Sequence, residues 1–292
     1  MNKEQSAKAE LISASVIFGT VGLIRKAVPL SSAMLSMVRG FIGAAVMIVI
    51  MLLKRQKPDM RAVKRVAGYL LASGIAIGVN WILLFESYRY TSVSVATLCY
   101  YMAPVFTLIA SPFVLGEKLT VRNVLAILVA LAGMILVSGV IGEKPDSEEI
   151  TGILLGLGAA VLYASVVLLN RKITGITASD RTVFQLLVAG IVLVPYVIAS
   201  KDGVQTVLTW KTVFFVALMG VIHTGLAYSL YFDSIGALKT QTVALFTYID
   251  PVVAIMISAL FLGERLGISG IAGAVLILGA TVYNELCLSV KK

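Results

Sequence analysis

GVNWILLFES at residues 78–87 returns as GLAYSLYFDS at residues 225–234, and LGEKL at residues 115–119 returns as LGERL at residues 262–266. The offset is 147 in both cases, and between the two matches Tyr101 falls on Tyr248 and Pro104 on Pro251, so the spacing holds across about forty residues without a gap. The chain is a duplication of one apolar unit.

Of its 292 residues 59% are hydrophobic and 13% charged, and the mean hydropathy is +0.98. That balance excludes an ordinary soluble domain and points to a membrane protein. Backbone groups find no water in lipid, so spanning segments are helices or closed barrels, and runs of roughly 20 residues that do not alternate polar with apolar are helices. Ten such spans are predicted, at 10–29, 32–53, 66–86, 91–114, 120–140, 151–170, 180–199, 211–231, 238–262 and 267–287. The short connections leave no room for a soluble catalytic domain, and no Gly-rich phosphate loop, zinc-spaced Cys/His cluster or nucleophile elbow is present in the sequence. No enzyme activity, cofactor or metal is expected.

Lys and Arg number 24 against 15 acids, an excess that placement assigns to membrane orientation and not to nucleic acid. Sixteen of the basic residues lie at the termini or in even-numbered connections, seven lie in odd-numbered ones, and Arg39 lies inside a span. Basic residues collect on the cytoplasmic side, so both termini are expected in the cytoplasm, in a multi-pass protein of the cell membrane. Residues 1–10 run straight into a full-length span without a clear cleavage site, which reads as an uncleaved first helix. Cys99 and Cys287 stand in apolar context and read as packing residues.

Five spans, an odd number, separate each position from its repeat equivalent, so the halves are expected to cross the membrane in opposite senses. The predicted architecture is all-α, ten transmembrane helices as two inverted five-helix repeats, 1–142 and 150–288. The pairing of a mid-span Pro with LGE at the span's end (Pro104 with residues 115–117, Pro251 with 262–264), together with Arg39 in the second span and an acid, Asp250, before the second Pro, resembles the EamA type of drug/metabolite transporter. The resemblance covers nearly the whole chain. It implies a central cavity walled by spans 1, 3, 4, 6, 8 and 9 and alternating access, with substrates ranging over amino acids, other metabolites, drugs and cations. Phe18-Gly19 departs from the Trp-Gly found in many members.

Asp250 is the most informative residue, a mid-span carboxylate whose repeat equivalent is Ala103. Such an acid is costly unless paired, and it serves either as a proton or cation site or as a structural partner for a polar group on a neighbouring helix. Arg39 shares a face with Ser32, Ser36 and Gly43, small residues that let another helix approach; it is placed to bind an anion, or to pair with a helix end or an acid such as Glu86 or Asp233. Glu86 and Asp233 are repeat equivalents at span ends and read as interfacial anchors, and Glu117 and Glu264 read as ordered turns. His223, the one histidine in the chain, lies mid-span, able to exchange protons or to bond across a helix interface.

Polar aromatics gather on the spans expected to line the cavity: Trp81, Tyr100, Tyr101, Tyr163, Tyr228, Tyr231 and Tyr248, with Asn80 beside Trp81. Membrane-interface belts also collect such residues, but Asn80, Tyr101, Tyr163 and Tyr248 lie deep in their spans. An acid with an aromatic wall suits an amine, amino acid or organic cation. The expectation is therefore a secondary transporter, with export the expected direction. Asp250 and His223 are its charge-coupling candidates, and Asn80, Trp81, Tyr101, Tyr163, Tyr228 and Tyr248 complete the substrate set. Arg39, Glu86 and Asp233 are structural charges. The alternatives are a carrier of an anionic metabolite centred on Arg39, or an intramembrane enzyme or scaffold. Expected partners are a small-molecule substrate and the bilayer, with no nucleic acid; Gly267, Gly270 and Gly273 read either as packing or as a homodimer contact.

Overall fold

A computed structural model describes residues 3–116, 118–137, 146–200, 209–235, 238, 246, 248–264 and 266–289, and among these every regular element is helical. In chain order they are α1 (Lys3–Gly19), α2 (Val21–Ala27), α3 (Ser32–Leu53), α4 (Met60–Arg65), α5 (Ala67–Tyr90), α6 (Val93–Tyr100), α7 (Ala103–Leu115), α8 (Val121–Val137), α9 (Ser147–Lys172), α10 (Ala178–Ser200) and α11 (Trp210–Gly220). A π-helical turn, Val221–Leu226, joins α11 to α12 (Ala227–Ile235); α13 (Ile249–Ile257) runs into a second π turn, Ser258–Leu262, and α14 (Ile268–Ser289) follows. Glu117, Thr247, Arg265, the start of the predicted ninth span and the side chain of Cys287 lie outside the described residues.

Among the described residues, seven stretches are long and apolar enough to cross a membrane: Glu4–Ala27, Ser32–Leu53, Ala67–Tyr90, Val93–Leu115, Ser147–Lys172, Ala178–Ala199 and Trp210–Ser234. Three shorter apolar helices, Asn123–Val137, Ile249–Leu262 and Ile268–Ala280, fall within the predicted fifth, ninth and tenth spans. The chain is thus an all-helical, multi-pass membrane protein.

Helix starts follow local chemistry. Ser31, Ser92, Asp146 and Thr209 each accept a backbone N–H three residues on, satisfying donors that a first turn leaves free. The short helix α4 was not foreseen; Asp59 caps it, and its Ala62 and Val63 are buried, Val63 packing with Val66, Leu70 and Ile173. Breaks follow proline. Pro104 has no N–H for the carbonyl of Tyr100, and Tyr101 just before it sits in a turn at φ −72°, ψ 3°. Its repeat equivalent Tyr248, before Pro251, has φ −74°, ψ −4°. The LGE glycines match as well, Gly116 at φ 69° and Gly263 at φ 68°, left-handed helix ends that glycine adopts without steric cost.

Packing pairs α5 with α9, α3 with α10, α10 with α5, α3 with the first π turn, α1 with α12 and α13, α6 and α7 with α9, and α8 with α14. One apolar core gathers Leu35, Trp81, Phe85, Leu186 and Met219, a second Leu98, Met102, Val105, Met134 and Ile277. Gly133 and Gly273 bring α8 and α14 into backbone contact: a Cβ on Gly273 would stand 2.5 Å from the Gly133 carbonyl. Gly273 is therefore occupied within its own chain, while Gly267 has open space around it. Polar staples cross the interior, with Gln185 donating to Ser73 (2.6 Å) and Asn170 (2.7 Å), and Ser87 to the Gly152 carbonyl (2.7 Å).

Glu264 is a node among three helix ends. Oε1 accepts from Lys26 Nζ at 2.5 Å, and Oε2 accepts from the Val93 N–H at 2.7 Å and from Ser258 Oγ at 2.5 Å. The Lys26 pair is partly solvated and contributes little, but an unmet Val93 N–H carries a desolvation penalty. Glu264→Ala is expected to destabilise the protein by about 2 kcal/mol, measured by chemical unfolding in detergent; an unchanged midpoint would remove the node's structural role.

Candidate functional site

The site forms where spans of both halves lose regular helix. Between α1 and α2, Thr20 Oγ1 donates to the Ile17 carbonyl at 2.8 Å, a local bond that competes with helical continuation, and lies 2.8 Å from His223 Nε2. Next to it, Gly19 meets span nine so closely that an added Cβ would lie 2.7 Å from the Asp250 carbonyl oxygen and 2.7 Å from Val253 Cβ. Asp250 itself stands in the first turn of α13, where the helix dipole favours an anion. Its Oδ2 accepts a hydrogen bond from Tyr101 Oη at 2.6 Å. The tyrosine at the first half's break thus binds the acid at the second half's break.

Two groups of rings surround this contact. Tyr101 lies 6.3 Å from Tyr248 and 6.3 Å from Tyr100, and Tyr100 lies 5.4 Å from Tyr163. In the second group Phe18 packs on Tyr228 at 5.4 Å and Tyr231 at 6.5 Å, and Phe232 packs on both tyrosines. Tyr163 is within electrostatic reach of Tyr228, Tyr231 and Asp250, which links the two groups. Tyr163 remains 43% exposed. Phe18 was not among the predicted site residues, although its neighbour Gly19 marks the close approach that places it there.

Arg39 is 4% exposed. Its guanidinium lies 4.1 Å from the Trp81 ring centroid and 5.3 Å from that of Phe85, and Nε donates to Thr224 Oγ1 at 3.1 Å. The small-residue face that carries Arg39 does admit another helix: the methyl of Thr224 occupies the notch at Gly43, where a Cβ would stand only 2.3 Å away. The acid pairing considered from sequence is not formed. Glu86 takes Arg89 at 2.9 Å and Asp233 takes Lys54, because acids at span ends meet cations near water before they reach a buried one. Aromatic faces take the place of a carboxylate beside Arg39.

His223 lies in the first π turn, a feature frequent at functional sites. Nδ1 lies 3.2 Å from the Leu218 carbonyl and Nε2 faces Thr20, so both ring nitrogens are engaged by the chain. Asn80 is 1% exposed and donates to the Ala159 carbonyl at 2.5 Å. It therefore joins α5 to α9, one helical turn before Tyr163 on α9. Trp81, 5% exposed, is the platform under Arg39.

The model of the EamA-like transporter family matches residues 9–139 and again 150–284. Among curated relatives, the uncharacterized transporter YxxF of Bacillus subtilis (strain 168) is 30% identical over 276 residues, covering 94% of this chain and 88% of that protein. The uncharacterized transporter YoaV of the same organism is 22% identical over 286 residues, 97% of each. A chain known from a crystal structure shares the fold with a TM-score of 0.65 over 98% of both chains at 19% identity. A family unit matched twice, over the two stretches that repeat each other and carry the Tyr101–Asp250 contact between them, accounts for the duplication and the helices together: the chain belongs to the EamA-like transporter family.

Proposed function

We propose that this protein is a secondary transporter that moves a small polar solute, an amino acid, amine or organic cation, out of the cell by alternating access. In this reading ten spans form two inverted five-helix repeats with both termini cytoplasmic. Helix neighbours support it, because they exchange when each span is replaced by its repeat equivalent: α5 on α9 answers α12 on α1, α6 and α7 on α9 answer α13 on α1, and α3 with α10 and α8 with α14 map onto themselves. End positions agree with it too. Lys26, Val93 and Glu264, at the outer ends of spans 1, 4 and 9 on such a path, meet one another, as do Lys54 and Asp233 at the inner ends of spans 2 and 8.

The observation that carries the reading is the Tyr101–Asp250 bond between the halves, inside a wall of tyrosines. Asp250 takes a proton or the solute's cationic group, and the rings hold its apolar part by stacking and cation–π attraction. Rocking of one repeat against the other changes which face reaches this contact. A proton or solute gradient supplies the driving force. A second reading, an anionic metabolite centred on Arg39, draws on the absence of an acid beside that guanidinium among the described residues.

The test is flux. Purified protein in sealed vesicles is expected to move labelled phenylalanine, phenethylamine or tetraphenylphosphonium down an imposed gradient, with the rate responding to a pH difference. Saturable binding of these probes without net flux would sink the transporter reading. Movement of sugar phosphates alone would favour the Arg39 reading.

A further inference from the structure

Arg181, near the start of α10 and half-buried, is a cation without a counterpart among the described residues. Its Nε is buried without a hydrogen-bond partner, and no hydrogen bond or ion pair joins its side chain to another described residue. Arg25 also has an unpartnered Nε, yet its Nη1 donates to the Val28 carbonyl at 3.1 Å and its Nη2 to Ser32 Oγ at 2.9 Å. A purely structural arginine is expected to end as Arg25 does, since a buried donor left unmet costs free energy.

The neighbouring acid does not neutralise Arg181. Asp180 is 2% exposed with Oδ1 unpartnered, but adjacent helical residues point about 100° apart, and the two form no ion pair. The groups that do face Arg181 electrostatically are Tyr231 of α12 and Tyr163 of α9. Both are neutral phenols that donate or accept hydrogen bonds without supplying charge. Tyr163 and Tyr231 are in turn within electrostatic reach of Tyr228, and Tyr228 of Arg39. Two guanidinium groups thus lie about these phenols, and Asp250, the acid within reach of Tyr163, forms an ion pair with neither.

We propose that Arg181, with the hydroxyls of Tyr163 and Tyr231, captures the carboxylate group of the transported solute near the start of α10. The planar guanidinium fork matches a carboxylate with two parallel hydrogen bonds. One unit charge flanked by phenols suits a monoanion, whereas a phosphate dianion calls for several cations at one point. This inference rests on the transporter reading and narrows it to solutes that carry a carboxylate, with an amine on the same molecule free to meet Asp250.

The test uses the full-length protein in detergent, with binding measured by calorimetry and thermal stabilisation for phenylacetate, phenylalanine, phenethylamine and inorganic phosphate. Wild type is expected to bind phenylacetate and phenylalanine. Arg181→Gln is expected to weaken both by about 10-fold or more and to leave phenethylamine and the unliganded melting temperature unchanged. Arg181→Lys, which keeps the charge and loses the fork, is expected to fall between them; it also decides the matter if the Gln variant does not fold. Wild-type affinity for phenylacetate in the folded variants would overturn the proposal. So would an equal loss for phenethylamine, phosphate binding more tightly than the carboxylates, or no carboxylate binding at all. Carboxylate binding that depends on Arg181 in a protein that moves no solute would overturn the transporter reading instead, which keeps the two failures apart.

Discussion

Asp250→Asn is expected to reduce transport about 100-fold or more while the protein folds and melts as wild type does. The side chain sits in the first turn of α13 and accepts the Tyr101 hydroxyl at 2.6 Å. Asparagine has the same size and keeps an oxygen for that hydroxyl, so the contact between the halves survives. What disappears is the charge and the ability to carry a proton. A buried charge that pairs with a cation in one state and a proton in another is expensive to replace: removing one member of such a pair costs about 3–5 kcal/mol, which at the solute's ammonium is a factor of hundreds to thousands in affinity. Asp250→Ala separates the roles, since it also leaves Tyr101 Oη without its acceptor and adds about 1–3 kcal/mol of destabilisation. The measurements are vesicle flux against pH and a detergent melt for each variant. Wild-type flux in Asp250→Asn, with an unaltered pH profile, would remove Asp250 from the mechanism.

Gly19→Val is expected to stop transport by a different route, without touching any ionisable group. At Gly19 the first span lies against the backbone of the ninth, with the Asp250 carbonyl oxygen and Val253 Cβ each 2.7 Å from where a Cβ would stand. No rotamer change relieves a clash with a carbonyl, so α1 and α13 must separate beside the acid and the Thr20–His223 contact. Overpacking of this kind costs about 1–3 kcal/mol, and displacing a binding wall by an ångström lowers transport by about 100-fold. Gly68→Ala is the control: nothing lies within 4 Å of its added Cβ, and replacing a helical glycine stabilises by about 0.5–1 kcal/mol. If Gly19→Val transports and melts like the Gly68 variant, the close approach of spans one and nine has no mechanical role.

Much of the site's framework can be read along the chain because its causes are local. Pro104 and Pro251 each lack a donor, which permits the breaks at Tyr101 and Tyr248 without dictating them, since α7 and α10 continue through Pro112 and Pro195, and glycine permits the left-handed ends at Gly116 and Gly263. Asp250 stands out for the same reason, as an acid in an apolar run. Gly43 beside Arg39 foretold a close helix, though not which helix it admits. Partner choice was illegible. Arg39 lies over Trp81 and bonds Thr224, while Glu86 and Asp233 take Arg89 and Lys54. Asn80 stood out by depth, but that it would donate to the Ala159 carbonyl was not legible. Phe18 showed only as a departure from the Trp-Gly of many members, and Arg181 carried no pattern that marked it, since an arginine at a helix start is ordinary.

By itself, then, the sequence determined that this chain is helical and membrane-spanning, that it is one unit written twice, and that the EamA-like family matches it over both halves. Composition, proline chemistry and repeat spacing act through bonds a few residues long, or through the bilayer, and need no knowledge of neighbours. Tertiary structure alone decided which side chains meet: Tyr101 with Asp250, Thr20 with His223, Arg39 with Trp81, and Arg181 with no partner at all among the described residues. Those pairings depend on how each helix is rotated and which helix it packs against. In lipid that is set by small-residue notches such as Gly19 and Gly43 and by scarce polar contacts across the interior, because apolar side chains gain as little from one another as from the acyl chains around them.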